Sequence, residues 1–557
     1  MLDVTAMLME LLNASLHDVI TLSTLAFVAC FLSLLGYALV PSAQERAVRH
    51  LPSPPRTLPF LDHTMAPFRY RERLYDFFLD ESTKHKGKMW RYKAVGRAVA
   101  VVLTTPEAFG HVLKTKFEDF GKEHRMWQIM EDLLGNGIFA VNGPLWMHQR
   151  KTASHLFSLQ MMRDSMEQSV VKSTTILCRR LAHCAANSEV INVKRLLDLF
   201  TMDVFTKIGF GVDLKSLEAS ETHPPPPFVG AFDRASAQIL SRFRTPVWVW
   251  QLKKWLNVGS ERTMREDNKV LDALVYEVIS RSMARRTIKG TPVVNKASED
   301  EQQLSVNTTD DRDLISLFLE KEATEYSKHG EKATTDAKLI RDMAVSFLIA
   351  GRDTTSQSMA WFLIMLNRNP RAAHRIRTEL AEKLPSLLDG SKLVPTMEDV
   401  HQLTYLEAAI RENLRLNPVV AITTREALRD TTLHDGTFIK QGTRISLPVY
   451  ALSRLEQVWG EDALEFKPER WIDDETGKLI QVSPFKFSAF LGGPRVCIGM
   501  KFALMEMKIT MAALLSKFDL KTVKDPFDFT YKPTVTMTVK GPVDVVVTPR
   551  VETIVTS

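Results

Sequence analysis

The chain has 557 residues, of which 45% are hydrophobic, and its formal net charge is +6 at neutral pH. A chain this long and this apolar can bury a large core, which excludes an intrinsically disordered protein. The small positive charge, without a dense Lys/Arg tract, excludes a nucleic-acid-binding module but would suit an acidic partner. The four cysteines are too few for a disulfide scaffold and favour a reducing compartment.

An uncharged apolar run near the start of the chain, VITLSTLAFVACFLSLLGYALV, occupies residues 19–40. A helix of this length is about 33 Å long, enough to cross the hydrocarbon core of a bilayer. No Lys or Arg precedes the run, whereas Arg46, Arg49 and Arg56 follow it, so the positive-inside rule places the rest of the chain in the cytosol. We predict a short non-cytosolic N-terminus at 1–18 and a transmembrane anchor at 19–40. A cleaved signal peptide is the alternative.

A proline-dense stretch, LPSPPRTLP, follows the predicted anchor. Proline resists helix formation, and we predict a stiff linker over residues 41–60. The remainder, 61–557, is then one soluble domain. Apolar residues at helical spacing predict helices in five segments, 261–286, 337–366, 370–384, 404–416 and 500–516. Strand patterns are sparser: one predicts a strand at 98–105, another a hairpin at 534–549 around Gly541-Pro542, and the polar segment 287–312 a mobile loop.

A single cysteine stands in the loop FLGGPRVCIG, just before the last predicted helix. The pattern F-x-x-G-x-R-x-C-x-G is met by Phe490, Gly493, Arg495, Cys497 and Gly499. Glycines would let the backbone approach a flat cofactor, and the following helix N-terminus would favour a thiolate. Arg495 could pair with an anionic edge of that cofactor. A cysteine buried for packing alone would need none of these neighbours.

This loop resembles the haem-binding signature of the cytochrome P-450 monooxygenases, and three further motifs follow the same family's order. LIAGRDTT, residues 348–355, resembles the oxygen-binding motif of the family's long central helix, with Asp353 and Thr354 in the proton-relay positions. A Thr354 hydroxyl can bond to the Ala350 carbonyl four residues back. We expect Gly351 to leave room there for dioxygen.

The other two motifs concern the scaffold and the cofactor edge. Glu412 and Arg415 in ENLR, with Arg470 in FKPERW, resemble the family's structural E-x-x-R triad. Trp146 and Arg150 in WMHQR resemble the residues that reach the haem propionates, and Arg425 falls where many members place another propionate-binding arginine.

The resemblance implies a mainly α fold with a smaller β portion, a triangular helical prism that holds haem b between the central helix and the cysteine loop. Cys497 would be the axial iron ligand. No glycine-rich dinucleotide motif follows a strand, so the electrons would come from NADPH through a membrane-bound reductase. The resemblance also allows cytochrome b5 as a partner, and it implies an endoplasmic reticulum membrane location.

The sequence indicates the substrate less specifically than it indicates the cofactor. AGRDTT, the segment 450–471 and the segment 250–262 resemble the fatty-acid ω-hydroxylase branch of the family. Apolar side chains of the central helix and of residues 127–139 would suit a long alkyl chain; these are Met343, Phe347, Ala350, Trp127, Ile129, Met130, Leu133, Leu134, Ile138 and Phe139. A carboxylate could be held by a basic group formed by Lys122, His124 and Arg125.

Several alternatives remain open at this point. The substrate could be a sterol, a terpenoid or a xenobiotic; the protein could be a reductase-independent isomerase or peroxygenase, or a haem-binding sensor. Ala350 stands where animal fatty-acid ω-hydroxylases often carry a haem-linking Glu, so we expect non-covalent haem.

Cys178, His183 and Cys184 lie close in sequence, but the two cysteines face different sides of a helix, which disfavours a metal site.

Overall fold

The computed structural model describes residues 18–33, 36, 40–55, 62–65, 69–94, 97–155, 157–219, 224–289, 315–316, 318–319 and 336–550. Its described helices after the N-terminal helical segment (residues 18–33) are α1 (Ala43–Ala47), α2 (Leu74–Lys84), α3 (Pro106–Gly110), α4 (His124–Leu134), α5 (Gly143–Ser154), α6 (Leu159–Met161), α7 (Glu167–Ala186), α8 (Val193–Phe210), α9 (Pro227–Arg244), α10 (Val247–Leu256), α11 (Gly259–Lys289), α12 (Ala337–Arg368), α13 (Pro370–Lys383), α14 (Met397–His401), α15 (Thr404–Leu416), α16 (Val449–Leu452), α17 (Glu456–Trp459) and α18 (Met500–Lys517).

The strands are short and form a minor part of the structure. They are β1 (Trp90–Tyr92), β2 (Ala100–Val102), β3 (Phe120–Gly121), β4 (Val190–Asn192), β5 (Thr423–Ala427), β6 (Thr431–Thr432), β7 (Phe438–Ile439), β8 (Arg444–Leu447), β9 (Phe518–Thr522), β10 (Tyr531–Pro533), β11 (Met537–Val539) and β12 (Asp544–Pro549). A five-stranded sheet has the order β1-β2-β8-β5-β3, and a three-stranded sheet the order β4-β12-β9. The predicted mainly α fold with a smaller β portion is therefore observed.

The central helix α12 is buried along most of its length and organises the core. Asp336 caps its N-terminus by accepting from the amides of Lys338 and Leu339, and the helix stops just before Pro370, a residue that disfavours helix at the position before it. Helices α7, α8 and α18 contribute to the same apolar core. This packing fixes α12 and the start of α18, the two elements that carry the central-helix motif and the cysteine.

All five predicted helices are present, with end points within three residues of the prediction, and α15 has the predicted bounds. The predicted strand at 98–105 is present as β2, in which only Ala100–Val102 is extended. Helix α11 continues to Lys289, three residues into the predicted loop 287–312. Residues 290–312 of that loop lie outside the described residues.

The predicted hairpin at 534–549 is wrong. Gly541 does turn the chain, with φ of +84°, but β11 pairs with β10, whereas β12 pairs with β4 and β9. The two halves therefore belong to different sheets. A turn signal identifies where a chain reverses, but the pairing partner is decided by distant strands with matching apolar faces.

The described part of the predicted linker 41–60 is packed against the rest of the protein. Val48 and Leu51 are buried in the core beneath the five-stranded sheet, and the Glu45 carboxylate lies 3.1 Å from the Lys93 ammonium. The amide of Arg91 also donates to the Pro52 carbonyl. Residues 43–52 are thus a docked part of the catalytic domain, because their apolar and acidic side chains find partners on it.

Of the predicted anchor 19–40, residues 34–35 and 37–39 lie outside the described part of the chain, as does most of the predicted N-terminus 1–18. Among the residues that the structure describes, no helix is both long enough and apolar enough to cross a bilayer.

Candidate active site

The cysteine loop is held in a fixed shape before α18 begins. Two short 3₁₀ turns, Ser488–Phe490 and Gly493–Arg495, precede the cysteine, and the amide of Cys497 donates to the Phe490 carbonyl at 2.9 Å. The Cys497 side chain is solvent-accessible. Burial by the surrounding protein nevertheless raises the pKa of its thiol, while the Gly499 amide and the Arg150 guanidinium act in the opposite direction. A side chain that is accessible yet surrounded by protein faces an internal cavity. We call this cavity, which begins at Cys497, the hollow.

One glycine of this loop, Gly493, is needed for packing within the protein. A Cβ on Gly493 would lie 2.0 Å from the carbonyl oxygen of Leu113, and its φ is +71°. Gly493 is therefore required by backbone-to-backbone packing against Leu113 and by its left-handed conformation. Gly499 has more room, since a Cβ there would meet only the Phe157 ring at 3.5 Å.

The central-helix motif lines the hollow with one face of α12. Most residues of the helix are buried, but Phe347, Ala350, Asp353 and Thr354 are half-buried. Phe347, Ala350 and Thr354 are spaced by three and four residues and share one side of the helix, with Asp353 at the edge of that side. The Phe157 ring lies 6.2 Å from the ring of Phe347, and it also contacts the site of Gly499, so it brings this face of α12 close to the cysteine loop.

Thr354 and Asp353 have defined partners. The Thr354 hydroxyl donates to the Ala350 carbonyl at 2.6 Å, the predicted bond. Asp353 Oδ1 accepts from Arg352 Nη1 at 2.8 Å. Burial raises the pKa of the Asp353 carboxyl, Asp198 and Asp233 act in the same direction, and Arg352 acts against them. An acid with a raised pKa is suited to holding and delivering a proton, and Asp353 is the sequence neighbour of Thr354.

The expectation that Gly351 leaves room for dioxygen is not met. A Cβ at this position would lie 1.9 Å from the ring of Phe205, which projects from α8. The missing side chain therefore allows α8 and α12 to pack closely. Phe205 in turn contacts the ring of Phe502 on α18, so this small residue supports the packing of three helices around the hollow.

Trp146 and Arg150 on α5 bind the cysteine loop. Arg150 Nη1 donates to the Val496 carbonyl at 2.9 Å, and the Arg495 guanidinium lies 4.2 Å from the centre of the Trp146 ring. Arg495 also donates to the Val141 carbonyl. Through these contacts α5 fixes the two residues that precede Cys497.

Three cations gather near this loop without a carboxylate among the described residues. Arg425 is 2% exposed, its Nη2 has no hydrogen-bond partner, and burial lowers its pKa to about 10. Burial, together with Arg425 and Arg150, lowers the pKa of Arg495 to about 9. The pKa of Lys122 is well below its usual range because of burial and the two arginines Arg425 and Arg495. Such a cluster fits an anionic ligand.

Lys122 belongs to this cation cluster, which the sequence did not reveal. The sequence predicted it, with His124 and Arg125, as a separate carboxylate-binding group. His124 is exposed and stacks on Trp127. Arg125 is half-buried, and its pKa is lowered by burial and by the positive charge of Arg97. The spacing of basic residues along a chain cannot reveal which of them meet cations from distant segments.

The structure brings Glu412, Arg415 and Arg470 together in a buried network. Arg415 makes two bonds to the Glu412 carboxylate, both at 2.8 Å, and Arg470 Nε donates to Glu412 Oε1 at 2.9 Å. Arg415 also donates to the carbonyls of Ser453, Ala463 and Glu465, which fixes the chain leading to the cysteine loop.

Part of the predicted apolar pocket wall belongs to the core. Met343, Ile129 and Leu133 are at most 1% exposed, so they do not line accessible space. Trp127 lies on an open groove together with Trp250 and Trp255. Phe347 and Ala350 remain as the half-buried candidates above the cysteine loop.

The remaining cysteines have no feature of a reactive site. Cys178 is buried on α7, and burial raises the pKa of its thiol to about 12. Cys30 is exposed. No group of three His, Cys, Asp or Glu in the described part of the chain is arranged to hold a metal ion.

A model of the cytochrome P-450 family matches residues 52–546. The chain belongs to the cytochrome P-450 family. It is 32% identical to cytochrome P-450 94B1 of Arabidopsis thaliana over 505 residues, which is 89% of this chain and 92% of the relative. It is 33% identical to cytochrome P-450 94A1 of Vicia sativa over 424 residues, 75% of either chain. It is 32% identical to cytochrome P-450 86B1 of Arabidopsis thaliana over 82% of this chain and 78% of the relative.

This membership confirms the resemblance predicted from the motifs. The protein is a haem-thiolate monooxygenase that uses dioxygen, a substrate and electrons from NADPH delivered through a reductase. The residues present fit haem b: an accessible cysteine at a hollow, and a cation cluster with the orphaned Arg425 Nη2 for the two propionates.

Proposed function

We propose that this monooxygenase hydroxylates a long-chain fatty acid at or near its methyl end. The observation that carries the proposal is the resemblance of AGRDTT and of residues 450–471 to the fatty-acid ω-hydroxylase branch. A sterol, terpenoid or xenobiotic is the alternative substrate class. An alkyl chain would be the part of the substrate that enters the hollow, where Phe347 and Ala350 offer apolar surface.

Arg125 and Arg97 are the candidates for holding the substrate carboxylate. Both are half-buried; burial and the positive charge of Arg97 lower the pKa of Arg125, and burial and the positive charge of Arg444 lower that of Arg97. The nearest acid, Glu123, is 3.0 Å from Arg444 Nε and is therefore already committed to that arginine. A carboxylate between Arg97 and Arg125 would relieve the repulsion of their two positive charges.

The chain's own residues would divide the work of the reaction. When bound, haem activates dioxygen at its iron, and a thiolate ligand increases the electron density there and favours O–O cleavage. Cys497 supplies that sulfur, while Arg425, Arg495 and Lys122 hold the propionates. Asp353 holds a proton beside Thr354. Because the Thr354 hydroxyl donates to Ala350, its oxygen lone pairs remain available to accept a hydrogen bond from a molecule in the hollow.

The test is a series of binding spectra with saturated and unsaturated fatty acids from lauric to oleic acid. We expect them to displace the water on the haem iron, and product analysis should show hydroxylation near the methyl end. If none of these acids changes the spectrum of a well-folded enzyme, whereas a sterol or terpenoid does, the fatty-acid proposal fails.

The role of Arg125 can be tested separately. Arg125→Gln should raise the KM for lauric acid with a much smaller effect on kcat, because the carboxylate lies far from the reacting carbon. The methyl ester of lauric acid is the matched control ligand: its binding to the wild type and to the variant should be similar. An equal loss for the acid and the ester would show that Arg125 does not contact the carboxylate.

We also propose that the protein is anchored in the endoplasmic reticulum membrane with the catalytic domain in the cytosol. The uncharged run 19–40 supports this, as does the high exposure of the apolar side chains in the N-terminal helical segment, where Phe27 is 73% exposed. Deleting residues 1–40 should move the protein from the membrane fraction to the soluble fraction. A full-length protein that alkaline carbonate extracts from membranes would contradict the anchor.

Cytochrome b5 is proposed as a second electron donor beside the reductase. The net charge of +6 would favour encounter with acidic donor proteins. In a reconstituted system, adding cytochrome b5 should increase product formation per NADPH consumed, and the increase should weaken as the salt concentration rises. If cytochrome b5 does not change product formation at low salt, it is not an electron donor to this protein.

A further inference from the structure

A chain of ion pairs leads from Asp353 to the protein surface. Arg352 Nη1 lies 2.8 Å from Asp353 Oδ1, and Arg352 Nη2 lies 2.6 Å from Asp233 Oδ1 on α9. Asp233 Oδ2 accepts from Arg195 Nη1 on α8 at 2.9 Å. The Arg352 side chain is only 5% exposed, whereas those of Asp233 and Arg195 are 34% and 40% exposed. One buried guanidinium is therefore shared between the proposed proton donor and an acid on another helix that reaches solvent.

Asp198 on α8 is the third carboxylate of this cluster. Its Oδ1 accepts from the Ser356 hydroxyl at 2.7 Å and from the Gln357 amide at 3.2 Å, and its backbone carbonyl accepts from Arg352 Nε. The Arg352 guanidinium also lies 5.3 Å from the centre of the Phe232 ring on α9. Arg352 is thus fixed from both neighbouring helices.

The charges around Asp353 come from α8, α9 and α12. Asp198 and Asp233 disfavour its ionised form, and Arg352 favours it. All three carboxylates face the single buried charge of Arg352, whereas Arg195 pairs with Asp233 and the Lys194 ammonium lies near Asp198. Asp353 and Asp233 both bind Arg352 directly. Asp353 is the more deeply buried of the two, since its side chain is 21% exposed and that of Asp233 is 34% exposed. A proton taken up by the cluster is therefore best placed on Asp353.

We propose that Asp233 is a positioning residue for Asp353 and acts through Arg352. By binding one edge of the guanidinium, Asp233 prevents Arg352 from pairing fully with Asp353 and leaves Asp353 free to exchange its proton beside Thr354. The proposal rests on the proposed role of Asp353 in proton delivery and does not depend on the substrate class.

Asp233 is not needed simply to attach α9 to its neighbours. The adjacent residue, Arg234, forms a two-pronged ion pair with Asp267 on α11, with bonds of 3.0 Å from Nε and 2.5 Å from Nη2 to the same carboxylate oxygen. This second pair joins α9 to the scaffold without contacting Arg352 or Asp353. The two aspartates therefore offer a matched comparison, because both anchor α9 but only Asp233 reaches the central helix.

The experiment compares wild type and Asp233→Asn in the haem-loaded enzyme. Without the charge of Asp233, Arg352 turns fully to Asp353, and one nearby negative charge is lost; both changes favour ionised Asp353 and lower its pKa. Infrared difference spectroscopy follows the carbonyl band of protonated Asp353, assigned by its loss in Asp353→Asn. The pH at which this band disappears should fall by about one pH unit in Asp233→Asn.

A turnover measurement gives the second readout. With lauric acid and the reductase, the hydrogen peroxide released per NADPH consumed should rise severalfold in Asp233→Asn, because less Asp353 carries a proton at neutral pH. The conservative variant Asp233→Glu should restore both the infrared titration and the peroxide ratio towards wild type. The infrared measurement needs no substrate, so it decides this proposal even where lauric acid proves not to be a substrate.

Asp267→Asn is the control. It should keep the wild-type infrared titration and peroxide ratio while losing an ion pair of α9. The proposal is overturned where Asp233→Asn, with a normal reduced carbon-monoxide spectrum, titrates like wild type. It is also overturned where Asp267→Asn produces the same shift, since the effect would then come from the attachment of α9 and not from the charge beside Arg352.

Discussion

Replacing Glu412 by Gln should destabilise the folded protein strongly, although it changes only one atom of the side chain. Glu412 and the side chain of Arg415 are both fully buried, and the Glu412 carboxylate accepts five hydrogen bonds. Its Oε2 accepts from Arg415 Nε and from the Trp471 indole, while Oε1 accepts from Arg415 Nη2, Arg470 Nε and the Lys467 amide.

The magnitude follows from this arrangement of donors. A glutamine has one acceptor oxygen and one amide that can only donate, so in either orientation the amide faces at least two of these donors. The buried Arg415 charge also loses its counter-ion. Removing one partner of a buried ion pair costs about 3–5 kcal/mol, a large part of the roughly 5–15 kcal/mol that keeps an ordinary protein folded.

The assay is urea unfolding of the haem-loaded protein, followed by far-UV circular dichroism and by the loss of the reduced carbon-monoxide band. Glu266→Gln is the matched control, because Glu266 pairs with Arg262 at 3.0 Å on the surface of α11, with side chains 59% and 66% exposed. This exposed pair should be worth about 0.3–0.5 kcal/mol. Should the two substitutions lower the free energy of unfolding equally, the structural role of the buried network would be refuted.

Four other predictions concern the site itself. Gly351→Ala should cost about 1–3 kcal/mol by overpacking against Phe205, and Phe205→Leu should restore part of that loss in urea unfolding; an unchanged midpoint for Gly351→Ala would contradict the close packing. Cys497→Ser should retain the far-UV spectrum but lose the Soret band typical of thiolate ligation, and retention of that band would remove Cys497 as the ligand. Thr354→Ala should keep consuming NADPH but release more hydrogen peroxide, whereas an unchanged ratio would deny the hydroxyl a part in proton delivery. Because Ala350 cannot form an ester, acid denaturation should release the haem, and haem that stays attached would disprove non-covalent binding.

The helices could be predicted from the sequence because their signal is local. Apolar residues at helical spacing and terminal signals such as Asn369-Pro370 lie within a few residues of one another, and α12 begins at the predicted residue and ends two residues beyond its predicted end. The motif residues were found for a related reason, since each motif occupies a short stretch of chain.

What the sequence could not reveal depends on contacts between distant segments. Strand β12 pairs with β4, more than 340 residues earlier, so the local turn at Gly541 suggested the wrong partner. Gly493 was predicted to make room for a cofactor and Gly351 for dioxygen, but a side chain at these positions would meet Leu113 and Phe205. A missing side chain shows that space is needed there without showing what fills it.

The charges give an independent indication of where this protein binds an anion. Elsewhere in the core, buried guanidiniums have carboxylate partners: Arg242 binds Glu261 and Asp132, Arg352 binds Asp233 and Asp353, and Arg415 binds Glu412. Arg425 is equally buried, yet within the described ranges it bonds only to Thr423 and Thr424 and keeps Nη2 unpaired, beside Lys122 and Arg495. A fold that neutralises its other buried arginines and leaves these cations together is built for a negative ligand, because like charges held apart from water destabilise the protein unless an anion joins them.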